Sequence, residues 1–362
     1  MKTILIVIPT LVGGGMERVA IEFANHFSNK QEFRVIILMY GNNLGSSYIL
    51  SDTIQILYPN KKFNNKNRII SALKSLWFVR ISVNKIKPEY ILSFGEYWNN
   101  FVLLALLFTK HSVFVFDRCQ PDKSLGFFHE SLRNFLYNQS KGFIVQTNYA
   151  KEVFLKKLNH KNITVIPNPV DFSKIKKIDQ LRENIVLSVG RLIKSKNFDI
   201  LIKIFSELNI NGWKLVIVGD DFNNPDSINF LKDYVNGLGS NSKIELVGHQ
   251  SDVESYYSKA KIFAFTSSSE GFPNVLIEAM SYELPVIAFD CSAGPSEIIQ
   301  NGKNGFLIPL FDEQKFSESL KLLMINDNLR VKLAKNAKHL VKRFSIEDIS
   351  NNLKTFLSNS IN

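Results

Sequence analysis

Hydrophobic positions along this chain fall into short uninterrupted runs, and between the runs they recur at spacings of three and four. The runs at residues 4–8, 34–39, 90–93, 113–116, 143–145 and 164–166 have the length and the β-branched or aromatic content of buried strands. Between the first two, Val19, Phe23, Ala24 and Phe27 share one face of a helix. A second series follows at 185–189, 215–218, 244–247, 262–265, 286–289 and 306–308, again separated by helical segments. Strands that alternate with helices predict right-handed βαβ units and parallel sheets covered on both faces. The series breaks at Pro167-Asn168-Pro169-Val170-Asp171, where two prolines close a strand and a lysine-rich, strand-poor stretch follows. The pattern therefore predicts an α/β chain of two doubly wound, Rossmann-like domains, 1–167 and 183–345, with a linker at 168–182. Residues 346–362 form a terminal helix that is free to cross back to the first domain. No repeat of 20–50 residues is present. Ligands of such sheets bind beyond the carboxyl ends of the strands, and with two domains those ends can face each other across a cleft.

Composition narrows the class without changing this picture. A chain of 362 residues is the size of two ordinary domains, and 45% hydrophobic with 21% charged residues excludes disordered or low-complexity sequence. Cys119 and Cys291 stand far apart with no Cys-x-x-Cys or Cys/His cluster, so neither a disulfide framework nor a zinc site is expected, and a reducing compartment is. The first apolar run stops at Pro9, too soon for a signal peptide. The longest run, 101–108, is far below the ~20 residues that span a bilayer. A soluble, cytoplasmic protein is expected.

Charge is more informative once divided. Of the net +11, residues 1–167 carry all, with 21 Lys and Arg against 10 Asp and Glu; residues 168–362 carry 23 of each. The window 61–87 holds eight basic residues and no acidic one. Nucleic acid, an anionic membrane and an acidic substrate are the candidate partners. Within the window Ile69, Ile70, Leu73, Leu76, Trp77, Val79 and Val83 interleave with Arg68, Lys74, Arg80 and Lys85, the pattern of a cationic amphipathic helix in a headgroup layer. An ordinary helix with its apolar face on the sheet fits the same residues, and the one-sided charge favours the membrane. The aromatics match no RNA-recognition pattern, and no nucleic acid is expected.

Three loops carry candidate chemistry. Gly13, Gly14 and Gly15 lie between the first strand and a helix, where backbone can approach an anion; the spacing is not Gly-x-Gly-x-x-Gly, which argues against a dinucleotide oxidoreductase. Arg191 and Lys196 sit in the strand-to-helix loop that opens the second domain, a fork and a point charge suited to adjoining phosphates, or simply solvated. In the third loop Glu270-Gly271-Phe272-Pro273-Asn274-Val275 leads a helix that contains Glu278. The amides of Asn274 and Val275 can point at an anion, Glu278 can accept from a ribose diol and Glu270 from sugar hydroxyls. Alternatively Glu270 caps the helix and Glu278 is a surface residue.

Taken together these motifs resemble those of the GT-B glycosyltransferases of the large retaining family 4, over nearly the whole chain and most strongly at 185–310. Glu270 and Glu278 match that family's E-x7-E element, Arg191 and Lys196 its diphosphate-binding pair, and Val247-Gly248-His249 the segment that holds the nucleotide base. The segments at 13–19, 165–170 and 289–299 resemble a bacterial subgroup that adds hexoses or N-acetylhexosamines to lipid-linked glycans of O-antigen, capsule or N-glycan pathways. The resemblance implies a retaining, front-face transfer from a nucleotide sugar, a UDP-sugar in the first instance. Its diphosphate meets Arg191, Lys196 and the Val275 amide, its ribose Glu278, its base His249, with Gly14, Gly15, Gly271, Phe272 and Asn274 around it. Glu270 orients the sugar and is not a nucleophile, and Arg191, Lys196 and Glu278 are expected to be exposed. Two positions depart from the family. Arg118, in Phe116-Asp117-Arg118-Cys119-Gln120-Pro121, stands where relatives carry a catalytic-loop His, and it is expected to contact the acceptor or a phosphate. Asp221 replaces the second Gly of a Val-Gly-x-Gly segment. Without an Asp-x-Asp pair no metal or other cofactor is expected. The implied partners are a nucleotide sugar, a lipid-linked glycan acceptor and an anionic membrane, with the enzyme peripheral on its inner face; the same transfer to a soluble acceptor is the alternative.

Overall fold

A computed structural model of the chain describes residues 1–12, 14–41, 48–59, 67–175, 181–221, 224, 226–239 and 243–361. Gly13, and Lys61, Lys62 and Lys66 of the basic window, lie outside the described residues. The chain divides into two compact units, 1–170 with 344–362, and 171–343. Asn168, Pro169 and Val170 thus join the first unit and not a linker. The reason is a short backbone tie: Val170 N–H donates to the Phe344 carbonyl at 2.8 Å, and Ile346 N–H to the Val170 carbonyl at 2.9 Å.

In the first unit the strands are β1 (Thr3–Ile8), β2 (Arg34–Met39), β3 (Gln55–Leu57), β4 (Tyr90–Phe94), β5 (Val113–Phe116), β6 (Gly142–Val145) and β7 (Ile163–Val165). They form a parallel sheet in the order β3-β2-β1-β4-β5-β6-β7. The helices are α1 (Gly15–Asn29), α2 (Arg68–Ile86), α3 (Glu96–Ala105), α4 (Phe127–Leu136) and α5 (Asn148–Lys157). Strand β1 shows why its run is wholly apolar. Ile4, Ile6 and Ile8 point to one face, Leu5 and Val7 to the other, and both faces are covered. On the Leu5 face lie Val79 and Val83 of α2, Val102 of α3, Leu136 of α4 and Phe154 of α5. Phe23 and Phe27 of α1 cover the opposite face, together with Leu353 and Leu357 from the C-terminal end of the chain.

The second unit contains β8 (Ile185–Val189), β9 (Lys214–Val218), β10 (Ile244–Gly248), β11 (Ile262–Phe265), β12 (Val286–Asp290) and β13 (Gly305–Pro309). Their order is β10-β9-β8-β11-β12-β13, again parallel. The helices here are α6 (Phe198–Leu208), α7 (Asp226–Gly237), α8 (Glu254–Lys259), α9 (Asn274–Ser281), α10 (Pro295–Ile298), α11 (Glu313–Ile325) and α12 (Asp327–Val341); α13 (Ile346–Ile361) is the terminal helix on the first unit. Strand order reverses at β8/β11, as it does at β1/β4. At such a point neighbouring loops leave in opposite directions and open a crevice at the carboxyl edge.

Candidate functional site

The loops that leave β8 and β11 carry Arg191, Lys196 and Glu270, and hydrogen bonds lock them together. Ser268 N–H donates to the Ser195 carbonyl at 2.8 Å. The Thr266 hydroxyl donates to the Lys196 carbonyl, and the Asn197 side-chain amide to the Thr266 carbonyl, each at 2.8 Å. Asn197 itself adopts a left-handed conformation between the loop and α6, which suits Asn. Across this clasp the Lys196 ammonium forms an ion pair with the Glu270 carboxylate, both side chains largely withdrawn from solvent. Arg191 is exposed and bonds through its side chain to no described residue. The loop after β9 approaches too. Gly219 has φ +146, and a Cβ there would fall 1.8 Å from the Gly190 carbonyl oxygen, so only glycine fits.

Helix α9 begins just beyond Pro273, which packs against Gly294: a Cβ on Gly294 would meet the proline ring at 2.2 Å. This contact holds the 291–294 loop over the helix N-terminus. One expectation fails here. Asn274 N–H donates to the Phe272 carbonyl at 3.1 Å, so its amide is not available to an anion. Phe272 is buried and Gly271 half-buried. Glu278 is half-buried, not exposed as expected, because it lies inside the helix against α8; the Tyr257 hydroxyl donates to its Oε2 at 3.0 Å. Lys196 is likewise withdrawn, by its pairing with Glu270; of the three expected exposed residues only Arg191 is. His249 is exposed immediately after β10, two strands from β8 and thus about 10 Å along the carboxyl edge. Cys291 is buried; burial first, then the nearby Glu270 charge, pushes its thiol up to about 12, so it stays protonated.

In the first unit Gly14 and Gly15 begin α1 as expected, but the anion position there is filled from within. The Glu17 carboxylate folds back so far that a Cβ on Gly14 would lie 2.3 Å from it, and burial raises its pKa. The Tyr48 hydroxyl accepts from Gly14 N–H at 3.2 Å and donates to the Gly14 carbonyl at 2.9 Å. Arg118 follows β5. Its Nη1 donates to Asn168 Oδ1 at 2.7 Å and to the Ile166 carbonyl at 3.3 Å, and its guanidinium lies over the Phe116 ring at 4.9 Å. The Gln146 amide donates to the same Asn168 oxygen at 2.8 Å. Nε and Nη2, the two donors of the guanidinium's side-on edge, are shielded from solvent and hydrogen-bond to nothing described. Burial lowers this pKa to about 9, and the group remains a cation near neutrality.

Beside it, Asp117 is buried with Arg133 at 3.8 Å and accepts from the Cys119 thiol at 3.3 Å. Glu96, Asp117 and Cys119 bring ligand-type atoms within 4.8 Å of one another. Arg133, which also pairs with Glu130, and Lys123, 3.7 Å from Glu96, are the cations beside this cluster. Sequence reasoning did not single out Glu17, Tyr48, Gln146 or Tyr257. They come from separate elements and meet only through the fold.

Helix α2 corrects the membrane expectation at one residue. Arg80 donates to the Ala105 and Leu107 carbonyls, each at 3.0 Å, and so closes the C-terminal end of α3. Arg68, Lys74 and Lys85 are exposed, and Trp77 is 68% exposed. Among the described residues no helix is long and apolar enough to cross a membrane.

Known proteins resemble this chain in sequence and in fold. A family model described as "Glycosyltransferase Family 4" matches residues 13–174, and one described as "Glycosyl transferases group 1" matches residues 171–340. The amylovoran biosynthesis glycosyltransferase AmsD of Erwinia amylovora is 30% identical over 336 residues, 90% of each chain. The Campylobacter jejuni GalNAc-alpha-(1->4)-GalNAc-alpha-(1->3)-diNAcBac-PP-undecaprenol alpha-1,4-N-acetyl-D-galactosaminyltransferase is 26% identical over 359 residues, 96% of each. Among solved structures, Anabaena HepE in complex with UDP and glucose superposes with a TM-score of 0.84 at 18% identity, covering 99% of this chain and 100% of that one.

Proposed function

We propose, because this chain belongs to the glycosyltransferases that join a family 4 domain to a group 1 domain in the GT-B fold, that it moves a hexose or N-acetylhexosamine from a UDP-sugar to a lipid-linked glycan with retention of configuration. The observation that carries the donor reading is the Lys196–Glu270 pair at the strand reversal of the second sheet. Arg191 and Lys196 are placed to neutralise the diphosphate as it leaves, an interaction stronger in the transition state than in the ground state. Glu278, oriented by Tyr257, accepts the ribose hydroxyls. The Val275 amide and the His249 segment complete the nucleotide's path along the carboxyl edge. Glu270 accepts from the donor sugar, and its ion pair with Lys196 keeps it turned inward. With the carboxylate so engaged, we assign the acceptor's proton to the leaving phosphate.

On the acceptor side the unpartnered edge of Arg118 suits a phosphate or carboxylate, since a desolvated guanidinium gains most from a bidentate anion. Two of the relatives named for their acceptor act on undecaprenol-linked glycans, which supports a polyprenyl diphosphate there. Glu17, whose carboxylate fills the helix N-terminus, suits sugar hydroxyls better than phosphate. The enzyme is peripheral on the inner face of the cell membrane in this reading. Calorimetry with UDP on Glu278→Ala and Lys196→Ala tests the donor half. Each should weaken binding roughly tenfold to a hundredfold, the value of a charge-assisted hydrogen bond of about 1.5–3 kcal/mol. Unchanged affinity in both folded variants overturns the site.

A further inference from the structure

The helix layer on the Leu5 face of the first sheet presents apolar side chains to solvent as well as to the sheet. In α2, Val79 and Val83 are buried. On the side turned away from them Ile69, Leu73, Trp77 and Ile81 recur every fourth residue, and all four are exposed. A helix at a sheet surface needs only one apolar stripe, and its outer stripe is ordinarily polar. The second stripe does not stop at α2. Arg80 ties α2 to the turn after α3 through the Ala105 and Leu107 carbonyls, and Asn84 meets His111 at 2.9 Å. That turn carries Phe108, 94% exposed and held in the left-handed region at φ +62, a conformation a phenylalanine adopts only under constraint. Phe108 and Phe135 of α4 line one cavity of about 160 Å³. From there α4 leads back to Phe127 and Phe128, 91% and 73% exposed, while Arg133 and Leu136 face inward. The three helices thus form one apolar surface with an aromatic edge.

We propose that this surface docks on an anionic lipid bilayer. The exposed cations Arg68, Lys74 and Lys85 meet the headgroups, and Phe108, Phe127 and Phe128 enter the acyl boundary. The inference deepens the acceptor reading above, which supplies the reason for a membrane, and it extends the docking element beyond α2. Charge selects the occupant. Exposed lysines border the aromatics, Lys110 beside Phe108 and Lys74 before Trp77, and residues 61–87 contain no acidic side chain. A second copy on the same surface would set lysine against lysine, whereas a bilayer offers phosphate to the cations and hydrocarbon to the rings.

The test is sedimentation of the full chain with vesicles of phosphatidylethanolamine and phosphatidylglycerol. The triple variant Phe108→Ser, Phe127→Ser, Phe128→Ser changes only exposed rings, and its folding is checked by thermal unfolding. It should lose roughly tenfold in partitioning per ring removed, at low and at high salt alike. Lys74→Glu with Lys85→Glu should instead flatten the salt dependence. As a second measurement, Phe127→Trp in a Trp77→Phe, Trp98→Phe, Trp213→Phe background should be quenched by brominated lipid. Wild-type partitioning by the triple variant overturns the proposal, as does an unquenched Trp at 127. A variant that changes the oligomeric state but not the partitioning also overturns it, in favour of a face between copies. Transfer to a short-chain, water-soluble acceptor is assayed in parallel. Its absence from the wild-type protein would count against the transferase reading alone and leave the docking result standing.

Discussion

Glu270 shows how a single pairing separates binding from turnover. Its carboxylate neutralises Lys196, so the cation that should meet the diphosphate is partly spent on a neighbour. Glu270→Gln removes that competition and keeps the side chain's shape. UDP should then bind as tightly as to wild type or more tightly, while kcat for sugar transfer falls, because the acceptor for the sugar hydroxyls has lost its charge. Calorimetry and steady-state kinetics on the one variant check both halves, and a parallel fall in UDP affinity would assign Glu270 to the nucleotide instead. Asp117 gives a pH signature. Burial, then the neighbouring Glu96, raises its carboxyl from 3.8 to about 6 despite Arg133. The folded protein therefore holds a proton that the unfolded chain releases, and this group's contribution to stability declines as pH rises from about 4 to about 6. In Asp117→Asn that decline should vanish. The difference in Tm between the two proteins, measured across the window, should shift toward the variant as pH rises; a constant difference would place the Asp117 pKa near its ordinary value.

At the scale of elements, the strands were legible in the sequence for one physical reason. Parallel strands covered on both faces must be continuous apolar runs, and β1, β5 and β11 are. Arg191, Lys196 and Glu270 could be read as candidates because their strand-to-helix loops resemble the motifs of the family. Contacts between elements distant in sequence could not. Nothing in the sequence around Arg80 says that its guanidinium will close α3, nor that Glu17 will fold onto Gly14. Nor does the local pattern distinguish a ring such as Phe127 that faces solvent from Phe143, which is wholly buried. The terminal helix α13 is an intermediate case: its return to the first domain could be foreseen as an option, whereas the side chains it buries there could not. Leu353 and Leu357 are fully buried beside Phe23 and Phe27. Leu353→Ala should therefore cost about 2–5 kcal/mol, the range for emptying a packed leucine site. Urea unfolding followed by fluorescence in a Trp213→Phe background, where only Trp77 and Trp98 of the first unit report, reads that loss directly. A cost below about 1 kcal/mol would mean the helix end frays and contributes little.

For the molecule as a whole, the deciding feature is the division of charge. The first 167 residues hold the whole net charge of +11 and the remainder is neutral, although the second unit is the one expected to bind a substrate with two phosphates. Two half-buried or loop cations suffice for a diphosphate held at one point, and they act at short range where salt screens little. The surplus on the first unit acts differently: spread over exposed side chains, it raises the local concentration of any anionic surface and fades within a Debye length of ~8–10 Å. The two substrates should consequently respond differently to salt. With the lipid-linked acceptor presented in phosphatidylglycerol-containing vesicles, its apparent KM should climb steeply between low and physiological salt, while the KM for the UDP-sugar changes little. Replacing phosphatidylglycerol by phosphatidylcholine should remove most of that slope, because the cations then face a neutral surface. A short-chain acceptor free in solution should show no such slope at either composition. Equal salt responses for donor and lipid acceptor would mean that the excess charge on the first unit serves solubility and not recruitment, and the soluble-acceptor reading would then be the better one.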